Sequence, residues 1–460
     1  MSHTLVIIGA GLSGLAAGIR YARFGHKVII LEKHSIAGGL NSYYYRQGML
    51  LETGLHAMTN YAAPEDKAAP LNRLFRQLKL SRRQLATHEQ FSSKILFPGN
   101  TSLLFSNDFT LLQEEVARLF PRVIDRFNHL VSVVDDYDPF TPKPRISTRQ
   151  KLDEFLGDRL LIDMLLWPLM VYGNSEEHDM DFSQFVIMFR SIFQEGMFRP
   201  AGTVKDFLNV LIDHYKALGG EIRFKTAVES LKLVGTKVLG VYLESGEFMQ
   251  VDDVISTAGY PATLGFTGDS ALAAPYEGQM SFTEMVYFLT PEARHSLQCD
   301  QTIIFYNLAE QFDYCRPLQA VNVDCGVICF PGNFKGLPPD DPFQLRVTHP
   351  ANYSIWQQAD APQYKWMKEE WGARSRRITG EIIGNYEQNI VYQDSFTPVT
   401  IEKFTGKAQG AVYGSPVKLK DGRTAYDNLY VAGTDQGYLG IVGAMLSGVT
   451  MINHHILDKI

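Results

Sequence analysis

A glycine-rich turn between two apolar runs is the feature of this sequence that most restricts its fold. Residues 5–8 are apolar and lead into a G-x-G-x-x-G turn, and a second apolar run at residues 27–31 ends on an acid. This spacing permits a tight strand-to-helix turn, a close approach of backbone to a pyrophosphate, and packing of helix on strand. The helix N-terminus then faces the phosphates, and the acid accepts hydrogen bonds from the ribose hydroxyls. The predicted dinucleotide contacts are Gly9, Ala10, Gly11, Ser13, Gly14 and Glu32.

The next segment favours a flavin over a nicotinamide. A pair of glycines follows the acid where a simple βα repeat would otherwise continue. Two adjacent residues without Cβ atoms let the chain wrap closely against an extended cofactor whose isoalloxazine continues past the pyrophosphate. The expected cofactor is FAD, with contacts from Lys33, Gly38, Gly39, Leu40 and Asn41.

Four further stretches extend this pattern along the chain. They are Glu-Thr-Gly-Leu-His at residues 52–56, Pro-Ala-Gly-Thr at residues 200–203, the apolar run at residues 254–259, and the closing stretch at residues 428–448. Together with the first turn they resemble the FAD-dependent phytoene desaturase, carotenoid isomerase and retinol saturase group of the wider amine oxidase superfamily. The superfamily usually carries Arg after the paired glycines, where this sequence has Leu40 and Asn41. This departure weakens an amine oxidase assignment more than a desaturase-like one.

The resemblance implies roles for residues in these stretches. Val228 turns backbone groups toward the adenine, and Gly433 and Asp435 lie near the phosphate and ribityl groups. A carboxylate beside phosphate would be repelled, so Asp435 is expected to contact a hydroxyl or a water. A helix beginning near residue 441 points its free N–H groups at the flavin pyrimidine edge, where they stabilise the reduced form. Its predicted contacts are Gly440, Ile441, Val442 and Gly443.

His56 is the leading candidate for a catalytic residue. The resemblance places it near the isoalloxazine, where a neutral imidazole can hydrogen-bond flavin or substrate, or shuttle a proton. A structural histidine bonded to backbone is the alternative interpretation. The same choice applies to a run of helically spaced residues, which either line the substrate chamber or pack in an ordinary core: Phe182, Phe185, Met188, Phe189, Phe193 and Met197.

The chain divides into interleaved pieces. Residues 1–60, 200–265 and 405–460 are expected to form a Rossmann-like α/β domain that binds FAD. Residues 61–199, with amphipathic stretches, and residues 266–404, with short β-prone runs, are expected to form a second α+β domain for substrate. There, an antiparallel sheet roofed by helices would enclose an apolar chamber.

Composition and charge exclude some classes of protein. The chain has 460 residues, a formal net charge of -7 and a pI near 6.0, which give no electrostatic reason to expect nucleic acid as a partner. The first strand follows Met1 at once, so we expect a cytoplasmic protein without a leader. Residues 164–172 are apolar but too short to span a bilayer, and no transmembrane helix is readable. Peripheral contact of this segment with a membrane is the alternative to its burial.

The cysteines give no metal-ligand spacing. Cys299, Cys315, Cys325 and Cys329 lie in the C-terminal half without a C-x-x-C pair, and we expect buried thiols and no metal site.

The resemblance, together with the FAD motifs, implies an FAD-dependent oxidoreductase acting on C–C bonds of an apolar substrate, a polyene or isoprenoid. Desaturation, saturation and flavin-assisted isomerisation share hydride transfer at flavin N5, and the cofactor carries the difficult chemistry. An amine oxidase or protoporphyrinogen-oxidase-like enzyme is one alternative, and a flavin-binding accessory protein without turnover is another. The residue pattern does not choose between desaturase, saturase and isomerase, and it leaves the electron acceptor and the oligomeric state open.

Overall fold

The computed structural model describes residues 3–54, 56–298, 300–340 and 342–459. Leu55 of the Glu-Thr-Gly-Leu-His motif and Cys299 lie outside the described residues.

The strands, in chain order, are β1 (Thr4–Ile8), β2 (Lys27–Leu31), β3 (Tyr43–Arg46), β4 (Met49–Glu52), β5 (Met58–Thr59), β6 (Thr87–Glu89), β7 (Ser93–Phe97), β8 (Thr101–Phe105), β9 (Met197–Pro200), β10 (Glu221–Arg223), β11 (Val228–Val234), β12 (Lys237–Leu243), β13 (Phe248–Gln250), β14 (Asp253–Ser256), β15 (Ser281–Leu289), β16 (Ile303–Asn307), β17 (Cys325–Cys329), β18 (Phe343–Ala351), β19 (Ile390–Phe396) and β20 (Leu429–Val431).

The α-helices, in chain order, are α1 (Leu12–Ala22), α2 (Pro70–Leu78), α3 (Phe109–Leu119), α4 (Ile124–Asp136), α5 (Thr148–Leu156), α6 (Arg159–Gly173), α7 (Phe182–Phe189), α8 (Val204–Ala217), α9 (Tyr260–Thr267), α10 (Ala293–Ser296), α11 (Tyr353–Gln358), α12 (Ala361–Ile383), α13 (Pro398–Thr405) and α14 (Gly440–Met451).

A five-stranded parallel sheet in the order β10-β2-β1-β14-β20 forms the first layer. Its strands come from three distant parts of the chain, and their cores are apolar because helices and a small antiparallel sheet cover the two faces of the sheet. β1 leads directly into α1 through Gly9, whose φ of 98° lies in the left-handed region that favours glycine. The predicted Rossmann-like α/β fold is confirmed.

A seven-stranded sheet in the order β19-β15-β18-β17-β16-β7-β8 forms the second layer. It is antiparallel except where β16 runs parallel to β7. The three β-prone runs of residues 266–404 lie in β15, β16 and β17, as expected. Its last two strands, β7 and β8, come from residues 61–199, whose amphipathic stretches predict helices, so residues 61–199 and 266–404 together build one sheet. These strands are only five residues long, too short to stand out beside the amphipathic helices around them.

Helices α3 to α7 pack on this sheet around the largest apolar core. Residues 164–171 of α6 are buried in that core, so this segment presents no surface to a membrane. The expectation that no membrane span is readable needs correction, since one stretch of the described residues, Gly440–Lys459, is long and apolar enough by length and composition alone. This stretch packs against α1 beside the parallel sheet, and this packing accounts for its apolar character.

The described cysteines are free thiols. Cys325 and Cys329 are buried on the same side of β17, in the core under the helices, as their spacing predicts. Cys315 is only partly buried, unlike the expectation for all four.

His349 on β18 is a fully buried histidine between the seven-stranded sheet and α12. Its Nδ1–H donates to the carbonyl of Cys325 over 3.0 Å, and its Nε2 accepts from the Ser375 hydroxyl over 2.8 Å. Burial lowers the pKa of His349 from 6.5 to about 4, although its hydrogen bonds to backbone oppose this shift. The ring is therefore neutral in the folded protein.

We expect His349 to make stability fall on acidification. In the unfolded chain His349 is protonated below about pH 6.5. In the folded protein it is protonated only below about pH 4. Between pH 7.5 and 5 this difference removes about 2 kcal/mol from the free energy of unfolding. Urea denaturation of the wild type and of His349→Gln at both pH values measures the effect. The variant should lose less stability than the wild type, by about that amount, and an equal loss in both would contradict the assignment.

Candidate functional site

One cavity of about 910 Å³ lies between the two sheets. Its floor is the carboxyl edge of the parallel sheet, where the residues that follow β1, β2, β14 and β20 come together. Its opposite wall is formed by β15, β17, β18 and β19 of the seven-stranded sheet. The carboxyl edge of a parallel sheet is the usual place for a bound ligand in such folds.

Most of the predicted cofactor contacts line this cavity. These are Gly9, Gly11, Ser13, Glu32, Lys33, Gly38, Gly39, Leu40, Asn41, His56, Val228, Gly433, Asp435, Gly440 and Ile441. The remaining four lie behind the lining. Ala10 is buried and its N–H donates to Glu32, Gly14 packs under Gly9, Val442 is in the core against α1, and Gly443 packs on Tyr438.

The Gly-rich turn has the geometry of a dinucleotide cradle. A Cβ atom at Gly14 would lie 2.1 Å from the carbonyl oxygen of Gly9, so only glycine lets α1 pack this closely. A Cβ atom at Gly11 would meet nothing within 4 Å, although Gly11 lines the cavity. The space above Gly11 is therefore open for a ligand to approach the backbone, as a pyrophosphate requires.

Glu32 is held in place by backbone groups. Its two carboxylate oxygens accept hydrogen bonds from the N–H groups of Ala10 at 2.8 Å and His34 at 2.9 Å. Each oxygen keeps a free lone pair, because a carboxylate offers about four acceptor positions. The carboxylate lines the cavity at the end of β2, where the ribose hydroxyls of a dinucleotide would lie.

Two lysines supply positive charge to this part of the cavity. Lys33 follows Glu32 and reaches the backbone at Gly406, and Lys407 donates to the Thr434 hydroxyl over 3.3 Å. Both line the cavity. Lys407 was not predicted, because it follows no glycine motif and lies in a loop after α13.

Backbone N–H groups hold the carboxylate of Asp435, and its expected contact with a hydroxyl or a water stays a prediction. Its oxygens accept from the N–H groups of Tyr260 at 2.6 Å and Ser415 at 2.9 Å. Burial acts to raise the pKa of Asp435, but Lys407, Lys418 and these two N–H groups outweigh it and leave the pKa below its ordinary value. Asp435 is thus ionised and compensated, and it ties the start of α9 to the segment after α13.

A buried network of charged side chains surrounds His56. His56 Nε2 lies 2.7 Å from Oε1 of Glu284, and the Arg346 guanidinium contacts the same carboxylate. Arg346 also donates to the backbone carbonyls of Glu52 and Gly54, each over 2.9 Å. On the far side, Arg199 donates to the carboxylate of Glu52 over 2.6 Å. The charges of the two acids and two arginines cancel.

This network fixes the protonation of His56. Burial lowers the pKa of His56, which Glu284 opposes and Arg346 reinforces. Burial acts to raise the pKa of Glu284, but Arg346 and His56 leave it lowered. A neutral imidazole beside an ionised carboxylate must donate from Nε2–H, so Nδ1 is left as an acceptor. Nδ1 makes no hydrogen bond to the described residues, and His56, 19 % exposed, faces the cavity.

The cavity continues into an apolar chamber. Its walls include Val171, Tyr172, Phe282, Val327, Val412 and Tyr413, which come from α6, β15, β17 and the segment after α13. The rings of Phe282 and Tyr413 meet edge to face with centroids 6.1 Å apart. The helically spaced residues 182–197 do not line the chamber, since all six pack within the apolar core. Their spacing predicted a buried face correctly but did not reveal which element that face meets.

Several residues of the site were missed at the level of sequence. Glu284 lies in a strand whose other side chains are nearly all apolar, and Arg346 lies in β18 among Leu and Val. A charged residue inside an otherwise buried strand is the signal that would have found them, because isolated buried charges are too costly to persist without partners.

One group of ligand-type side chains lies elsewhere. His178, Asp313 and Cys315 bring one donor atom each to within 4.8 Å of one another, on the surface near the start of α6. His178 Nδ1 and Asp313 are already paired at 2.7 Å, and burial raises the pKa of the Cys315 thiol to about 12. A protonated thiol is a poor metal ligand.

Known proteins resemble this chain along its whole length. It is 22 % identical to a 4,4'-diaponeurosporene oxygenase of Staphylococcus aureus (strain bovine RF122 / ET3-1), over 100 % of this chain and 98 % of that protein. The structure of an oxidoreductase from Methanosarcina mazei matches with a TM-score of 0.68 at 16 % identity, covering 98 % and 100 % of the two chains. Wild-type putrescine oxidase bound to putrescine matches with a TM-score of 0.64 at 17 % identity, covering 98 % of each chain. These structures share the fold.

The family model described as flavin containing amine oxidoreductase matches residues 12–298, which is more than half of the chain. The open cradle above Gly11, the carboxylate of Glu32 and the two lysines fit the adenosine diphosphate part of FAD. The chain therefore belongs to the flavin-containing amine oxidoreductase family, and it is an oxidoreductase whose cofactor is FAD.

Proposed function

We propose that the protein acts on carbon–carbon bonds of an apolar polyene or isoprenoid substrate by hydride transfer. The observation that carries this proposal is the continuity of the cavity, which joins the dinucleotide cradle at Gly11 to the apolar chamber at Val171 and Phe282. Bound FAD supplies the group that accepts or returns the hydride. The protein aligns the substrate and excludes water around it.

The division of labour along the chain follows from this proposal. Residues 1–60, 200–265 and 405–460 would hold FAD, and residues 61–199 and 266–404 would hold substrate. Within the first set, Val228 would meet the adenine, Glu32 the ribose, and Lys33 with Lys407 the pyrophosphate. The N-terminus of α14 at Gly440 and Ile441 would face the flavin ring, where its N–H groups favour negative charge.

The charge balance of the chamber favours a neutral substrate. Glu284 is the acid that faces the chamber from β15, and it is already paired with Arg346 and His56. An ammonium substrate such as putrescine would need a carboxylate that is not already paired with a cation, because transfer of an unpaired cation into an apolar site is costly. A hydrocarbon makes no such demand.

Similarity to the Staphylococcus aureus oxygenase supports a polyene, since that protein is named for the carotenoid 4,4'-diaponeurosporene and matches over the full chain. Conjugated carbons spread the positive charge that remains when a hydride leaves, so no charged side chain is needed beside the reacting carbon. The proton lost from the neighbouring carbon in a desaturation would be taken at Nδ1 of the neutral His56 ring, a nitrogen that has no hydrogen bond to the described residues.

The placement of the pyrophosphate is tested by a pair of glycine substitutions. Gly11 has φ −67° and open space at its Cβ position, so Gly11→Ala should leave the stability of the apoprotein unchanged. The added methyl should instead weaken FAD binding by at least about 10-fold, because it fills the place of the cofactor. Gly14→Ala is the matched control, and it should destabilise the apoprotein by about 1–3 kcal/mol through its clash with Gly9.

Fluorescence titration of apoprotein with FAD and thermal denaturation without FAD separate the two effects. Normal affinity in Gly11→Ala would contradict the proposed path of the cofactor.

The substrate class is tested by anaerobic spectroscopy of the holoenzyme. We expect phytoene in detergent micelles to bleach the flavin absorbance, or lycopene to restore the absorbance of dithionite-reduced enzyme, according to the direction of the reaction. Putrescine should do neither. Bleaching by putrescine alone would identify an amine oxidase, and no spectral change with any compound would identify an accessory protein without turnover. Either result overturns the proposal.

The role of His56 is tested by His56→Gln. Glutamine keeps an N–H for Glu284 but offers no basic nitrogen, so the network should survive while flavin reduction slows by about 10²–10⁴-fold. In the wild type the rate should fall as the pH drops below the lowered pKa of His56, because the protonated ring cannot accept a proton. The variant should lose this acidic limb of the rate profile.

Unchanged FAD content and thermal stability of the variant are the control for folding. A normal rate with the acidic limb intact would assign His56 a purely structural role.

A further inference from the structure

One carboxylate oxygen in the wall of the cavity is shared by a base and a cation. Oε1 of Glu284 on β15 lies 2.7 Å from Nε2 of His56 and also contacts the guanidinium of Arg346 on β18. The other oxygen, Oε2, accepts from the Thr348 hydroxyl over 3.4 Å. Glu284 is 3 % exposed and Arg346 is 2 % exposed, so solvent screens their charges little. The imidazole is therefore exposed to the charges of both side chains.

The other ionisable groups around His56 do not compete with this pair. Arg199 on β9 has the smallest effect on the pKa of His56, and it is paired with Glu52 on β4 at 2.6 Å. Burial raises the pKa of three tyrosines that share these surroundings, so their phenols stay neutral at ordinary pH: Tyr44, Tyr172 and Tyr413. Glu284 and Arg346 are thus the charged groups that decide how readily the ring takes a proton.

These two charges act on the ring in opposite directions. Burial lowers the pKa of His56, Glu284 acts to raise it, and Arg346 acts to lower it again. A buried carboxylate without the arginine would hold the imidazole as the cation of an ion pair, and the arginine without the carboxylate would prevent the ring from accepting a proton. With both present, the ring can take a proton on Nδ1 and give it up again.

We propose that Glu284 and Arg346 are positioning residues with opposite effects on His56. Glu284 orients the ring and stabilises it while it carries the substrate proton, and Arg346 limits this stabilisation so that the ring releases the proton before the next turnover. The inference rests on the proposed function and adds how its base is reset.

The proton balance of a desaturation follows from these roles. One carbon gives its hydride to FAD, and the C–H bond of the neighbouring carbon breaks. The electron pair of that bond forms the new double bond, and its proton moves to Nδ1 of His56. The ring then gives this proton to solvent. A saturation uses the same steps in reverse.

Two neutral substitutions test the opposition. Glu284→Gln keeps an oxygen for His56 and Arg346 but removes the negative charge, so the ring should titrate at a pH lower by about 1 unit or more. Arg346→Gln removes the positive charge and should shift the titration by a similar amount to higher pH. The titration is followed by NMR of the oxidised holoenzyme with ¹³C-labelled histidine, in which the signal of His56 is the one absent from His56→Gln.

The acidic limb of the rate of flavin reduction by phytoene should move with the ring, to lower pH in Glu284→Gln and to higher pH in Arg346→Gln. The double variant Glu284→Gln/Arg346→Gln buries no unpaired charge at this oxygen, and its ring should titrate at a higher pH than that of Glu284→Gln. This comparison measures the effect of Arg346 even where Arg346→Gln alone does not fold.

Asp163→Asn is the matched control. Asp163 is also a buried acid, 5 % exposed and paired with Arg149 at 2.6 Å, but it lies on α6 and does not line the cavity. Its neutralisation should leave the titration of His56 and the acidic limb as in the wild type. A shift in this control as large as that in Glu284→Gln would overturn the inference.

Shifts of the same sign on loss of Glu284 and on loss of Arg346, or the absence of any shift, would also overturn it. So would a ring that shifts while the acidic limb stays in place. Failure of the proposed role of His56 has a different signature, because His56→Gln would then keep the acidic limb whatever the ring does in the other variants.

Discussion

The ion network around Arg346 is the interaction on which the site depends. Arg346 lies on β18 of the seven-stranded sheet and binds Glu284 on the neighbouring strand β15. It also binds the carbonyls of Glu52 and Gly54, which lie in the segment just before His56. It thereby attaches the segment that carries His56 to the wall of the substrate chamber. A buried pair of this kind adds little net stability, but loss of one member leaves an unpaired charge and costs about 3–5 kcal/mol. The main effect of the network is therefore to fix the position of the segment before His56 relative to β15 and β18.

The same network sets the electrostatic character of the chamber. The charges of Glu52, Glu284, Arg199 and Arg346 cancel, and the histidine at the edge of the chamber is neutral. Lys33 and Lys407 place positive charge at the other end of the cavity, where we propose that the phosphates of FAD bind. In the proposed arrangement, one cavity combines a charged half for the cofactor with a neutral half for the substrate.

The parts of the site that could be predicted from the sequence are those encoded locally. The turn from β1 to α1 and the acid at the end of β2 lie within one βαβ unit, and each residue type is dictated by its own backbone geometry or ligand. The partner of His56 could not be predicted in this way, because Glu284 lies 228 residues further along the chain. The position of β7 and β8 beside β16 could not be predicted either. It depends on pairing between strands far apart in the sequence, and the short strands themselves carry no signal of that pairing. The Phe and Met residues of α7 show the converse limit, since helical spacing reveals a buried face but not what that face covers.

The interleaved order of the chain has a physical consequence for cofactor binding. The cavity floor is assembled from the ends of β1, β2, β14 and β20, and these strands come from three pieces that are far apart in sequence. Each piece buries only part of its apolar surface until the others are in place, so the cradle exists only once the whole domain has folded. In the proposed arrangement FAD contacts all three pieces, and a ligand that binds only the folded state stabilises it. The two ends of the chain meet where α1 packs against α14, and a Cβ atom on Gly448 would lie 2.0 Å from the carbonyl oxygen of Ser13. Close packing between the two ends of the chain and retention of the cofactor thus both depend on the assembly of the three pieces.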